Sequence, residues 1–241
     1  MDRPSLIGPL ARIDRAAVHI NDLELLIDKF RKANEDEIVA QRELIAREMK
    51  RGQKVVSPCY PLPIAIGEVI PIVAGEVIYN LRAALDYLIY ELAWKDSGRK
   101  QDYTQFLIEE SKSRFDSRKE KYLAGVNDLH RDSIELLQPY KGTDWTKTLR
   151  EISNPDKHRR ITPIISLSGA WSFMEKGPAG SFEDRPGKIL RGIGESGTEV
   201  YHDSQYSIDV AFPDRIPLVE TLKILQRKVA ETIDSFKSEF Q

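Results

Sequence analysis

Two short stretches of this chain carry side chains suited to chemistry. The first is NLRAALD, with Asn80, Arg82 and Asp86; Arg82 and Asp86 stand four residues apart, so a helix would place them on one face. A guanidinium held by a carboxylate in this way is either an ordinary intrahelical ion pair or a fixed group for gripping phosphate or carboxylate. The second stretch is NPDKHRRI, beginning at Asn154. Asn154, Pro155 and Asp156 have the composition of a helix start, which reads as a cap joining two helical pieces. It also reads as an anion site, because Lys157, His158, Arg159 and Arg160 cluster beside the free amides of that start. The same positive field would disfavour a protonated His158 and leave a neutral imidazole able to act as a base.

Brought together, these residues would form one site. Arg82, with Lys157 or Arg159, would hold a phosphate, Asp86 would orient Arg82, and Asn80 and Asn154 would add ligand hydrogen bonds. His158 would then remove a proton from an RNA 2'-hydroxyl, with no cofactor or metal required. The competing reading is non-catalytic. Buried Arg, Asp and His groups also persist because each satisfies another's hydrogen bonds, in a module that binds its partner through a sheet or an outer helix. A third reading is an enzyme acting on a small anionic ligand. Accessibility separates the readings, since a catalytic His158 must share an open cleft with Arg82.

The element that must position the first stretch is the long apolar run from Ile66 to Trp94. Val77, Leu81, Ala84, Leu85, Leu88, Ile89 and Leu92 recur in steps of three and four, which predicts a central helix, kinked or broken near Pro71 and Gly75. Before it, Leu10, Ile13, Ala17, Ile20, Leu23, Ile27 and Phe30 predict an amphipathic helix, with His19 on its exposed side. Residues 37–50 fit helix or strand, and the prolines beyond them favour an extended hairpin. After the central helix come a short extended run, TQFLI, a charged helix over SKSRFDSRKEKYLAGV, and a short helix begun by a surface His130 and stopped by Pro139 and Gly142. A helix from Thr143 to Ser153 leads into NPDKHRRI. Beyond Ile161 the β-branched and aromatic runs ITPIISLSGAWSF, KILRGI, TEVYH and YSIDVAF predict a small antiparallel sheet, and Leu218, Leu222, Leu225, Val229, Ile233 and Phe236 predict a closing helix. These readings combine into a single α+β domain over residues 1–241: a helical core at about 9–160, a strand-rich segment at about 161–213 and a closing helix at about 216–240.

Composition excludes several classes. With 41% hydrophobic and 31% charged residues the 241-residue chain is globular, and its net charge of -2 argues against coating nucleic acid by bulk electrostatics. The single cysteine, Cys59, leaves no internal disulfide and fits a reducing cytoplasm. The start, MDRPSLIGPLARIDR, lacks the continuous apolar region of a secretory signal, and Glu68, Glu76, Arg82 and Asp86 interrupt the most apolar stretch too often for a membrane span. MEKGPAGSFEDRPGK is a connection and not a phosphate loop, and His202–Asp203 has no partner histidines at metal-binding spacing. Outer helix faces could carry a homodimer.

The order Gly75–Glu76, NLRAALD, LQPY and NPDKHR resembles a family of uncharacterised bacterial proteins with an Asn-Leu-Arg-x-Ala-Leu-Asp helix and a later Asn-x-Asp-Lys-His-Arg segment. The resemblance spans roughly Ile66 to Ile161 and implies no established activity. A weaker one is to the HEPN group, helical bundles that include metal-independent ribonucleases of toxin and phage-defence systems. Their motif is an Arg, then a polar residue, with a His a short step later. Here Arg150 and Glu151 match, while the step to His158 is longer and contains Pro155.

Overall fold

The computed structural model describes residues 3–40, 59–62, 64–158, 163–175, 190–193, 199–212 and 216–241, with side chains for 3–40, 64–153, 163–164, 210–212 and 216–241. Its helices are α1 (Ile7–Ala33), α2 (Val69–Ser97), α3 (Lys112–Tyr122), α4 (Asp128–Leu136), α5 (Asp144–His158) and α6 (Leu218–Ser235), with short 3-10 turns at Pro139–Lys141 and Lys237–Phe240. The strands are β1 (Cys59–Leu62), β2 (Ile164–Glu175), β3 (Leu190–Ile193) and β4 (Glu199–Ala211). Two compact units result, the first from residues 1–26, 68–162 and 219–241, the second from 27–67 and 163–218.

The expected α+β class is corrected. Helix takes 74% of the fully described residues, and the unit built round the central helix contains no strand among its described residues. The protein is therefore helical. The physical reason lies in how α2 buries its apolar stripe: Val77, Leu81, Leu85, Leu88, Ile89 and Leu92 have no exposed surface. The apolar faces gathered in the same unit are helical ones, with Ala16, Ile20 and Leu23 of α1, Leu149 of α5, and Leu222, Val229 and Ile233 of α6, joined by Phe106 and Leu107 of a non-helical segment. Among the described residues strand pairing is confined to the second unit, where the backbone order is β1-β2-β4-β3 and all pairs are antiparallel, with Ser168 opposite Cys59 and Ile165 opposite Val210.

α2 runs unbroken through Pro71 and Gly75, so the helix does not break where a kink or break was expected. Pro71 sits in the first turn, where its missing N–H would have had no helical partner. The helix stops at Gly98, whose φ of 70° is the left-handed cap that glycine adopts without strain. Residues 35–40 are helical, which corrects the hairpin expected there, and residues 41–58 of that stretch lie outside the described residues. Among the described residues, no helix is long and apolar enough to cross a membrane.

Candidate functional site

The polar insert of α2 divides between two faces. Successive residues turn about 100° round a helix, so Arg82 and Asp86 share a face while Asn80 points away from Arg82. Asn80 is buried toward α1: its Nδ2 donates to the Glu76 carbonyl at 2.8 Å, and its Oδ1 accepts from Arg12 Nη1 at 3.2 Å. Arg12 continues to the Tyr87 hydroxyl at 2.8 Å and lies over the rings of Tyr79 and Tyr87. That hydroxyl contact holds the Arg12 guanidinium pKa above its ordinary value.

Arg82 and Asp86 face the extended segment that follows α2. Asp86 Oδ1 accepts the Phe106 amide at 2.9 Å, and Arg82 Nη2 donates to the Phe106 carbonyl at 3.2 Å. Both main-chain groups of one residue are thus held by two side chains one helical turn apart. The Arg82–Asp86 separation is 3.8 Å, and burial lowers the Arg82 pKa, partly offset by the Asp86 charge. Further along the same segment, Gln138 performs a similar task. Its Nε2 donates to the carbonyls of Leu107 at 2.8 Å and Ile134 at 3.0 Å, and its Oε1 accepts the Glu109 amide at 2.8 Å. Residues 104–109 are extended without a strand partner, so these side chains supply the hydrogen bonds a ladder would have given.

A polar cleft of about 220 Å³ opens beside this segment, lined by Arg82, Arg114, Arg118, Arg150, Glu109 and Ser153 among others. Glu109 is almost fully buried and pairs with Arg118, whose guanidinium also lies over the Tyr122 ring. The Arg118 pKa is raised, chiefly by the Tyr122 hydroxyl and then against the opposing effect of burial by Glu109. Arg150 pairs with Glu110. Arg114 forms no ion pair among the described residues; its backbone amide donates to the Oγ of Ser111, which caps the start of α3.

The second sequence stretch stands differently. α5 continues through Asn154 and Pro155 to His158, so no helix starts there and no free amides are presented. Pro155 removes one helical donor, leaving the Glu151 carbonyl without its usual partner, close enough to the helix end for the helix to persist. The premise for a neutral His158, the positive end of a helix dipole, is lost with it, because residue 158 closes the helix. The side chains of Asn154, Lys157 and His158, and all of Arg159, lie outside the described residues. α5 nevertheless packs against α2, which brings Arg150 and Ser153 into the cleft with Arg82.

Two histidines expected at the surface are buried instead. His19 faces Glu76 at 3.3 Å and Asp22 at 3.9 Å. His130 Nδ1 meets Asp96 Oδ2 at 2.7 Å, its Nε2 lies 3.7 Å from Glu239, and its ring packs edge-on against Phe236. Among the described residues, no group of three or more His, Cys, Asp or Glu side chains is placed to hold a metal ion. Compared with known proteins, the chain matches no family model, no curated protein and no solved structure at a significant level.

Proposed function

We propose that this chain is a non-catalytic binding module whose helical unit is held together by a polar network centred on Arg82 and Asp86. The observation that carries the reading is the engagement of both side chains with the backbone of Phe106. A guanidinium spent on a main-chain carbonyl and a carboxylate spent on the adjoining amide position an element, which is structural work. The single cysteine, Cys59, supports a reducing, cytoplasmic setting for the module.

A second reading, a HEPN-like metal-independent ribonuclease, draws on one specific observation: Arg150, the arginine of the Arg-then-polar pair, lines the same cleft as Arg82. One experiment separates the two. A mixed RNA pool is incubated with purified protein in EDTA, beside Arg82→Ala, Arg150→Ala and His158→Ala, each checked for folding by circular dichroism and thermal melting. The binding-module reading expects no cleavage and a lowered melting temperature for Arg82→Ala. Cleavage by the wild type that folded His158→Ala and Arg150→Ala variants abolish would overturn it in favour of the nuclease.

A further inference from the structure

We infer that the arginine-lined cleft between α3, α5 and the extended segment 104–109 is a binding site for a compact phosphoanion of about diphosphate size. The inference rests on the binding-module reading and deepens it by naming the ligand chemistry. Four arginines, Arg82, Arg114, Arg118 and Arg150, line one cleft, and they come from α2, α3 and α5. No single helix could gather them. Three of the four have a carboxylate partner among the described residues: Asp86 stands 3.8 Å from Arg82, Glu109 pairs with Arg118, and Glu110 pairs with Arg150. Among the described residues Arg114 forms no ion pair, so the four arginines outnumber the carboxylates paired with them by one.

The number and kind of donors select the ligand. A carboxylate has two oxygens and is satisfied by one bidentate arginine, whereas a phosphoryl group has three peripheral oxygens and a diphosphate more, enough to engage several guanidinium forks. Arg82 is the fixed member, with its side chain about one-tenth exposed and anchored through Phe106 and Asp86. Arg114 is exposed and Arg118 half-exposed at the rim, where they can swing onto an entering anion.

Size and lining argue against a nucleic-acid strand at this position. The cleft holds about 220 Å³, and the aromatic residue along it, Phe106, has no exposed surface on which a base could stack. Single-stranded nucleic acid is gripped by a basic groove together with such stacking platforms. A small phosphoanion needs no platform.

The test uses the full-length chain in isothermal titration at near-physiological salt. The probes are inorganic pyrophosphate, inorganic phosphate, sulfate and a short single-stranded RNA, and the variants are Arg114→Gln, Arg150→Gln and the double variant. Thermal melting confirms that each variant is folded. The expected result is saturable 1:1 binding of pyrophosphate, at least tenfold tighter than sulfate, weakened at least tenfold by each single substitution and lost in the double one. RNA bound tightly with pyrophosphate ignored would overturn the inference in favour of a nucleic-acid surface. Pyrophosphate and sulfate bound equally, or binding unchanged in the folded double variant, would also overturn it and leave the arginines as partners of Glu109 and Glu110 only. Such a failure would leave the parent reading standing, since that falls only if RNA is cleaved in EDTA.

Discussion

At the scale of single residues, the distinctive feature is how much of the main chain is satisfied by side chains. Gln138 is fully buried and bonds to the Leu107 carbonyl and the Glu109 amide. Gln138→Ala would leave both groups buried without partners, at about 1–3 kcal/mol each. A loss of about 2–5 kcal/mol in urea unfolding is therefore expected, and a loss below about 0.5 kcal/mol would mean that water or local movement replaces the amide. Asp86 offers a graded version. Asp86→Asn keeps an acceptor for the Phe106 amide and removes only the charge beside Arg82, while Asp86→Ala removes both. Asp86 is a third exposed, which screens the ion pair, so about 1 kcal/mol is expected for Asn and about 2 kcal/mol for Ala. Equal losses would place the whole contribution in the charge. The sequence made the Arg82–Asp86 pair legible because spacing alone puts them on one face. It gave no sign that their partner was a backbone, since main-chain groups leave no residue type to read. Gln138 inside LQPY carries no mark of its role for the same reason, and the nearness of Asn80 to Arg82 in sequence hides that a step of two residues puts them on different faces.

Among elements, α2 was the most legible, because an apolar stripe in steps of three and four admits few other readings. The continuation of α5 through Asn154 and Pro155 was not. Asn-Pro-Asp has the local chemistry of a helix start, and local chemistry yields where a helix already under way has an apolar face to bury, as α5 does with Leu149. The strand-rich segment shows a related limit. β-branched runs speak only to local backbone, as in β2 and β4, and could not report that the unit built round α2 contains no strand among its described residues. Element ends are set by backbone conformation, and two glycines test this. Gly98 ends α2 at φ 70° with open space where a Cβ would stand, whereas Gly125 at φ 79° sits where a Cβ would meet the Gln101 side chain at 2.8 Å. Gly98→Ala is expected to cost about 1 kcal/mol from the left-handed backbone alone. Gly125→Ala should cost more by whatever Gln101 loses in moving aside. Thermal melting of the two variants orders them, and a Gly98→Ala loss equal to or larger than that of Gly125→Ala would contradict the steric difference.

In the whole molecule, the first unit is assembled from the beginning, middle and end of the chain, so its stability depends on contacts that close long loops. The N-terminal stretch is tied to α2 by the Ser5 amide on Glu91, Arg12 on Asn80 and His19 on Glu76, and α6 is tied to α1 by Lys223 on Glu24. The last turn is held by Glu239, which accepts from Lys95 Nζ at 2.9 Å and lies 3.7 Å from His130 Nε2, with Asp96 on the far side of that ring. The hydrogen bond from Lys95, with its charge, holds the Glu239 carboxyl below its ordinary value of 4.5. A carboxylate depressed in the folded state binds its proton more readily when unfolded. Its contribution to stability is therefore complete above about pH 4.5 and is lost as the pH falls through the lowered value. Glu239→Gln removes that titration while keeping the shape of the side chain. The urea midpoint of the wild type should accordingly fall more steeply than that of Glu239→Gln between about pH 5 and about pH 3, the two curves converging at the acid end. Lys95→Gln should flatten the acid limb in the same way, because it removes the partner that depresses Glu239. Parallel curves for all three proteins would mean that the C-terminal turn is held by the packing of Phe236 against His130 and that the ion pair adds nothing to it.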